Sequence, residues 1–79
     1  MAELLLFVTI KEKLQTDSIT IDPSIKTILE LREWMIEQYP SIENDLSNVI
    51  WAKNEEYVEL DDVIYPTDVV AIISPVSGG

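Results

Sequence analysis

Residues 69–74 read Val-Val-Ala-Ile-Ile-Ser, a nearly unbroken run of β-branched apolar side chains. The run is too short for a globular helix and suits a strand at the centre of a sheet, covered on both faces or facing a partner on one. Pro75 has no N–H to give to a ladder, so pairing stops there and the chain leaves the sheet. On the other side, Tyr65-Pro66-Thr67-Asp68 carries turn chemistry. The rest of the chain is read as what surrounds this strand.

Leu4 to Ile10 is a second apolar run rich in strand formers, and Lys11 to Asp17 reads as the turn after it. Ser18 to Asp22 alternates polar and apolar, which makes a hairpin with the first strand. Pro23 ends that strand. A helix is expected from about Thr27 to Tyr39, with Thr27 or Ser24 as N-cap and Pro40 closing it. At 100° per residue, Ile25, Ile28, Leu29, Leu31, Met35, Ile36 and Tyr39 share one face, opposite Lys26, Glu30, Glu33 and Glu37. Arg32 falls inside the apolar face, either packing its stem there with the guanidinium reaching out, or touching a partner. Residues 41–48 read as a turn or helical loop, 49–53 as a third strand, 54–56 as a turn and 57–60 as a short fourth strand or edge piece.

Composition narrows the function. The 79 residues leave room for one domain, expected over 1–74, with 75–79 as a flexible diglycine tail. There is no Cys, which excludes disulfides and thiolate chemistry, and no His, which removes the most frequent general base. Catalysis by the chain's own side chains is therefore not expected, nor is a bound cofactor or metal. Five Lys and Arg against fifteen Asp and Glu, a net charge of −10, argue against nucleic-acid binding. The acidity suits a partner with a basic face, or serves only to keep the domain in solution. No apolar stretch approaches the length of a bilayer span and no leader pattern opens the chain, so no membrane association and a cytoplasmic location are the expectation.

Strand, strand, helix, strand, short strand, strand is most economically an α+β arrangement. One main helix crosses one face of a mixed four- to five-stranded sheet, with the first and last strands as parallel central neighbours. This is the β-grasp, or ubiquitin-like, layout. Such a sheet needs apolar side chains on its helix face only, yet both central strands carry them on both. Leu4, Leu6, Val8 and Ile10 alternate with Leu5 and Phe7, and Val70 and Ile72 alternate with Val69, Ala71 and Ile73. If Leu5, Phe7, Ala71 and Ile73 point away from the helix, with Trp51 a candidate addition, the open face bears an apolar interaction patch. Loops covering that face, or the reverse parity, are the alternatives.

The chain closes on Pro75-Val76-Ser77-Gly78-Gly79. Either this segment is dispensable, or the terminal carboxylate is itself the working group, and glycine permits the closest approach of another backbone. "LLFVTIKEKLQTDSITI", "NEEYVEL" and "DVVAIISPVSGG", in that order, resemble the molybdopterin synthase small-subunit family, the ubiquitin-like sulfur carriers of molybdenum cofactor synthesis. The resemblance runs over essentially the whole chain and is most specific at its end. Thr67 stands where that family has glycine before the aspartate, and Ser74 where it has a first proline.

The resemblance implies that an adenylyltransferase activates the Gly79 carboxylate with ATP and that sulfur then replaces the adenylate. The resulting thiocarboxylate gives its sulfur to a cyclic pyranopterin monophosphate precursor inside the large subunit. Gly78 and Gly79 would pass narrow active sites, and Pro75, Val76 and Ser77 would set the path of the tail. Phe7 matches an aromatic position near the partner interface, and Lys11 a basic position toward the activating enzyme. Leu5 and Ile73 join Phe7 as expected partner contacts, and a two-plus-two assembly with the large subunit is the family's form. The acids of residues 54–62 either steer toward basic partners or form a solvated turn. A ubiquitin-like protein modifier, or a sulfur carrier of thiamine synthesis or tRNA thiolation, is the alternative.

Overall fold

The computed structural model describes residues 1–73. Strands β1 (Glu3–Leu5), β2 (Ser18–Thr20), β3 (Ile50–Lys53), β4 (Glu56–Tyr57) and β5 (Val69–Ile73) form one sheet in the order β2-β1-β5-β3-β4. As expected, β5 is central. It pairs in parallel with β1, Leu4 opposite Val70, and antiparallel with β3, Trp51 opposite Ile72. The mixed sheet with one long helix is the β-grasp arrangement.

The long helix α2 (Ile28–Gln38) begins and ends where the sequence places it. Thr27 is its N-cap, the Oγ1 accepting from Glu30 N at 3.2 Å. All four N–H groups of the first turn are satisfied, a requirement at any helix start. Ile28 N donates to Asp62 O, Leu29 N to Leu60 O and Leu31 N to Thr27 O. The loop after β4 thus caps α2 from outside and fixes it to the sheet. Ile28, Leu31 and Met35 lie fully buried against Leu4, Val70 and Ile72, while Leu29, on the expected apolar face, is 41% exposed. Beyond Tyr39, a 3-10 turn at Pro40–Ile42 and a short helix α3 (Glu43–Leu46) bring Ile42 and Leu46 into the same core.

The first strand departs from expectation. It stops at Leu5, and Val8–Leu14 forms a helix, α1, where a strand to Ile10 and a turn were expected. Its partner β2 has only three residues, so a longer first strand would hold unpaired backbone groups. A helix satisfies its own. Leu6, Ile10 and Leu14 recur every four residues, and Ile10 reaches the core while Lys11, Glu12 and Lys13 face outward. Lys11 and Lys13 lie in its last turn, where cations favour the helix dipole, and Gln15 closes it in a left-handed conformation with φ 55°. The β-branched Val8 and Ile10 suggest a strand locally, and tertiary packing overrides that preference. The short edge strand also differs: it occupies Glu56–Tyr57 rather than 57–60, because Glu59 and Asp62 close a turn immediately afterward.

Candidate functional site

The two faces of β5 divide its side chains by parity. Val70 and Ile72 enter the core beneath α2, whereas Val69, Ala71 and Ile73 line the opposite face. The register places Leu5 and Ala52 beside Ala71 on that face. Two alanines therefore meet at the centre, and larger side chains surround them: Leu5, Phe7, Tyr57, Val69 and Ile73. A small floor between large walls leaves an open groove of about 940 Å³. Leu5, Phe7 and Ile73 are thus brought together as expected, with Phe7 45% exposed.

Trp51 does not join them. The strand parity that puts Ala52 in the groove turns Trp51 under the helix, where it is 6% exposed within the core cluster. Lys11 lies apart from the groove on α1, in an exposed ion pair with Asp17 at 3.0 Å. Arg32 is half-buried beside Leu46, Trp51 and Val58 on the far side of the sheet. Pro75, Val76, Ser77, Gly78 and Gly79, together with the expected domain boundary after residue 74, lie outside the described residues.

One end of the groove is held by a polar clamp that the sequence reading did not single out. Asn54 and Glu55 form the two-residue loop between β3 and β4, both at positive φ, 51° and 70°. This is the type I′ signature, whose twist matches the flanking strands. Asn54 tolerates it best and uses its side chain twice, donating from Nδ2 to Asp68 Oδ1 at 2.8 Å and accepting from Val69 N at 3.0 Å. Its backbone N–H donates to Val69 O. The hairpin is thereby tied to the first residue of β5.

Asp68, 7% exposed, also accepts from Tyr65 N at 2.7 Å and faces Lys53 Nζ at 3.6 Å. Burial alone pushes its carboxyl upward; the Tyr65 N–H, the Asn54 amide and the Lys53 charge outweigh it and hold the carboxyl below its ordinary value. Lys53 in turn donates to Val63 O at 2.7 Å and lies 5.4 Å from the centre of the Tyr65 ring. Among the described residues no buried side-chain polar atom lacks a partner. An asparagine in a two-residue gap between strands, followed by Pro-Thr-Asp before the next strand, was the available signal.

Apart from Asn54, Glu55 and Tyr57, the described lining of the groove is apolar. Among the described residues no group of three or more His, Cys, Asp or Glu is placed to hold a metal ion. No helix among them is long and apolar enough to cross a membrane. The sequence model of the ThiS family matches residues 4–79. The chain belongs to that family. It is 40% identical to the molybdopterin synthase sulfur carrier subunit of Dictyostelium discoideum over 98% of this chain and 94% of that protein. Among solved structures, the ThiS-family fold seen here is shared with the small archaeal modifier protein 1 of Methanosarcina acetivorans. The TM-score is 0.85 at 16% identity, covering 99% of this chain and 95% of that one. It is likewise shared with a chain of the complex of subunits 1 and 2 of molybdopterin-converting factor from Helicobacter pylori. There the TM-score is 0.72 at 23% identity, covering 99% and 97%.

Proposed function

We propose that this chain is the sulfur carrier subunit of a molybdopterin synthase, working through its terminal carboxylate and docking its large subunit on the sheet-face groove. The observation that carries the reading is the near full-length similarity to a carrier subunit of that name, with the family match extending through Gly79. The groove supports it. Ile73, one of its walls, is joined to the tail by a single residue before Pro75, so a partner seated on the groove is close to where the tail departs.

The chemistry follows from what the chain lacks. Without Cys, sulfur can be carried as an acyl group only at a carboxylate, and without His the proton transfers fall to partners. A carboxylate is a poor acyl donor until its oxygen becomes a better leaving group. In the proposed sequence, a Gly79 oxygen attacks the α-phosphorus of ATP within an adenylyltransferase and pyrophosphate departs. A sulfide equivalent then attacks the acyl carbon and AMP leaves with the oxygen, giving a thiocarboxylate. Inside the large subunit its sulfur is passed to the pterin precursor, and Gly78 and Gly79 offer no side chain to obstruct either active site.

The deciding measurement is the intact mass after incubation with the pathway's activating enzyme, ATP and a sulfur donor. Replacement of one oxygen by sulfur, mapped to Gly79, is expected. An unchanged mass, beside a related carrier converted in the same tube, overturns the reading. Isopeptide linkage of Gly79 to lysines of other proteins would establish a protein modifier instead.

A further inference from the structure

Glu55 stands out in the groove for two independent reasons. Among the described lining residues it alone is charged, set at the rim of a surface otherwise made of apolar side chains, the clamped Asn54 and Tyr57. It also occupies the second position of the type I′ loop at φ 70°, where glycine is the residue free of steric conflict. The hairpin gains nothing from a glutamate there. The clamp to β5 is made entirely by Asn54, and no side-chain hydrogen bond or ion pair among the described residues involves Glu55. A strained conformation kept at the rim of an apolar groove, on an exposed residue whose carboxylate has no partner among the described residues, points to use.

We propose that Glu55 is the charged anchor of the groove and receives an arginine of the large subunit; this rests on the reading of the groove given above. The neighbouring Tyr57, 78% exposed on the same wall, favours arginine over lysine. A planar guanidinium pairs with a carboxylate through two hydrogen bonds and stacks on an aromatic face, which a compact ammonium does less well. Covering the groove removes water from the pair and strengthens it beyond an exposed ion pair.

The test measures binding of the full chain to the large subunit at low and high salt, alongside thermal unfolding of the free chain. E55Q is expected to weaken binding about tenfold and to flatten its salt dependence without changing the melting temperature. E55G is expected to weaken binding equally while raising the melting temperature, because it relieves the strain. Y57L should weaken binding about threefold. Wild-type binding that E55Q and E55G both match overturns the anchor alone. Absence of any wild-type binding overturns the anchor together with the assignment of the groove.

Discussion

The two faces of the sheet are built from alternate residues of the same strands, and they differ in what covers them. Under α2, Leu4, Val70 and Ile72 are almost completely buried with Trp51, Leu31 and Met35. On the other face, Leu5, Ala71 and Ile73 remain only half-buried around a floor of alanines. Hydropathy alone does not distinguish them. The helix face is filled by side chains of this chain, so its burial stabilises the fold. The groove face keeps its apolar surface open, so the corresponding free energy is available to association.

Truncating the covered face should break this contrast most severely. Ile72→Ala is expected to lower unfolding stability by about 3 kcal/mol in urea titration, since a cavity remains beneath α2. A loss below about 1 kcal/mol would mean that the two faces are energetically alike. Loosening the clamp that holds the groove's end comes next. Asn54→Ala leaves the buried Asp68 oxygen and the Val69 N–H short of partners, and should cost about 2 kcal/mol by the same titration.

The clamp also sets a pH dependence. Because the folded carboxyl of Asp68 is held below its ordinary value, the unfolded chain binds more protons in the acid range. Its contribution is complete above the unfolded value, near ~3.9, and is lost as pH falls through the folded one. Asp22, which accepts from Ser24 N at 2.8 Å and is likewise lowered, acts in the same sense. Asp68→Asn should therefore flatten, without abolishing, the fall in stability below about pH 4. An unchanged acid slope would remove Asp68 from the account.

Smaller effects sharpen the comparison from each side. Thr27→Ala removes the cap of α2 and should cost about 1 kcal/mol. Leu5→Ala, on the open face, should change stability by less than about 1 kcal/mol because the side chain is only half-buried. The same substitution should weaken capture by the large subunit, read by titration calorimetry. A Leu5→Ala variant that loses stability as Ile72→Ala does, yet binds normally, would reverse the roles given to the two faces.

Much of this architecture was legible because its signals are local and unambiguous. Val69 to Ile73 could be little but a central strand, and Thr27 and Pro40 bracket a helix by cap and stop. Parity within β1 and β5 correctly grouped Leu5, Ala71 and Ile73, and Phe7 reaches the same groove although β1 ends before it. What could not be read depended on distant partners. Val8 and Ile10 carry strand-like side chains, and only the shortness of β2 and the needs of the core turn them into a helix. The side taken by Trp51 depends on the β3–β5 register, which no short-range pattern specifies. The Asn54–Asp68 clamp joins residues of two separate loops, so neither loop announces it alone.

The place of β5 between β1 and β3 has a consequence for how the chain comes into being on the ribosome. The β1–β2 and β3–β4 pairs are both translated before β5, and β5 is the strand that joins them. Until residues 69–73 emerge, the two halves lie side by side in the sequence without a shared ladder, and inner edges of β1 and β3 stand open. Pairing the start of the chain with its last described strand is also the most non-local event of folding, which places it among the slow ones. Nascent chains interrupted before residue 69 should accordingly be targets for chaperones and proteases, and the step that seals the sheet is the same one that builds the groove.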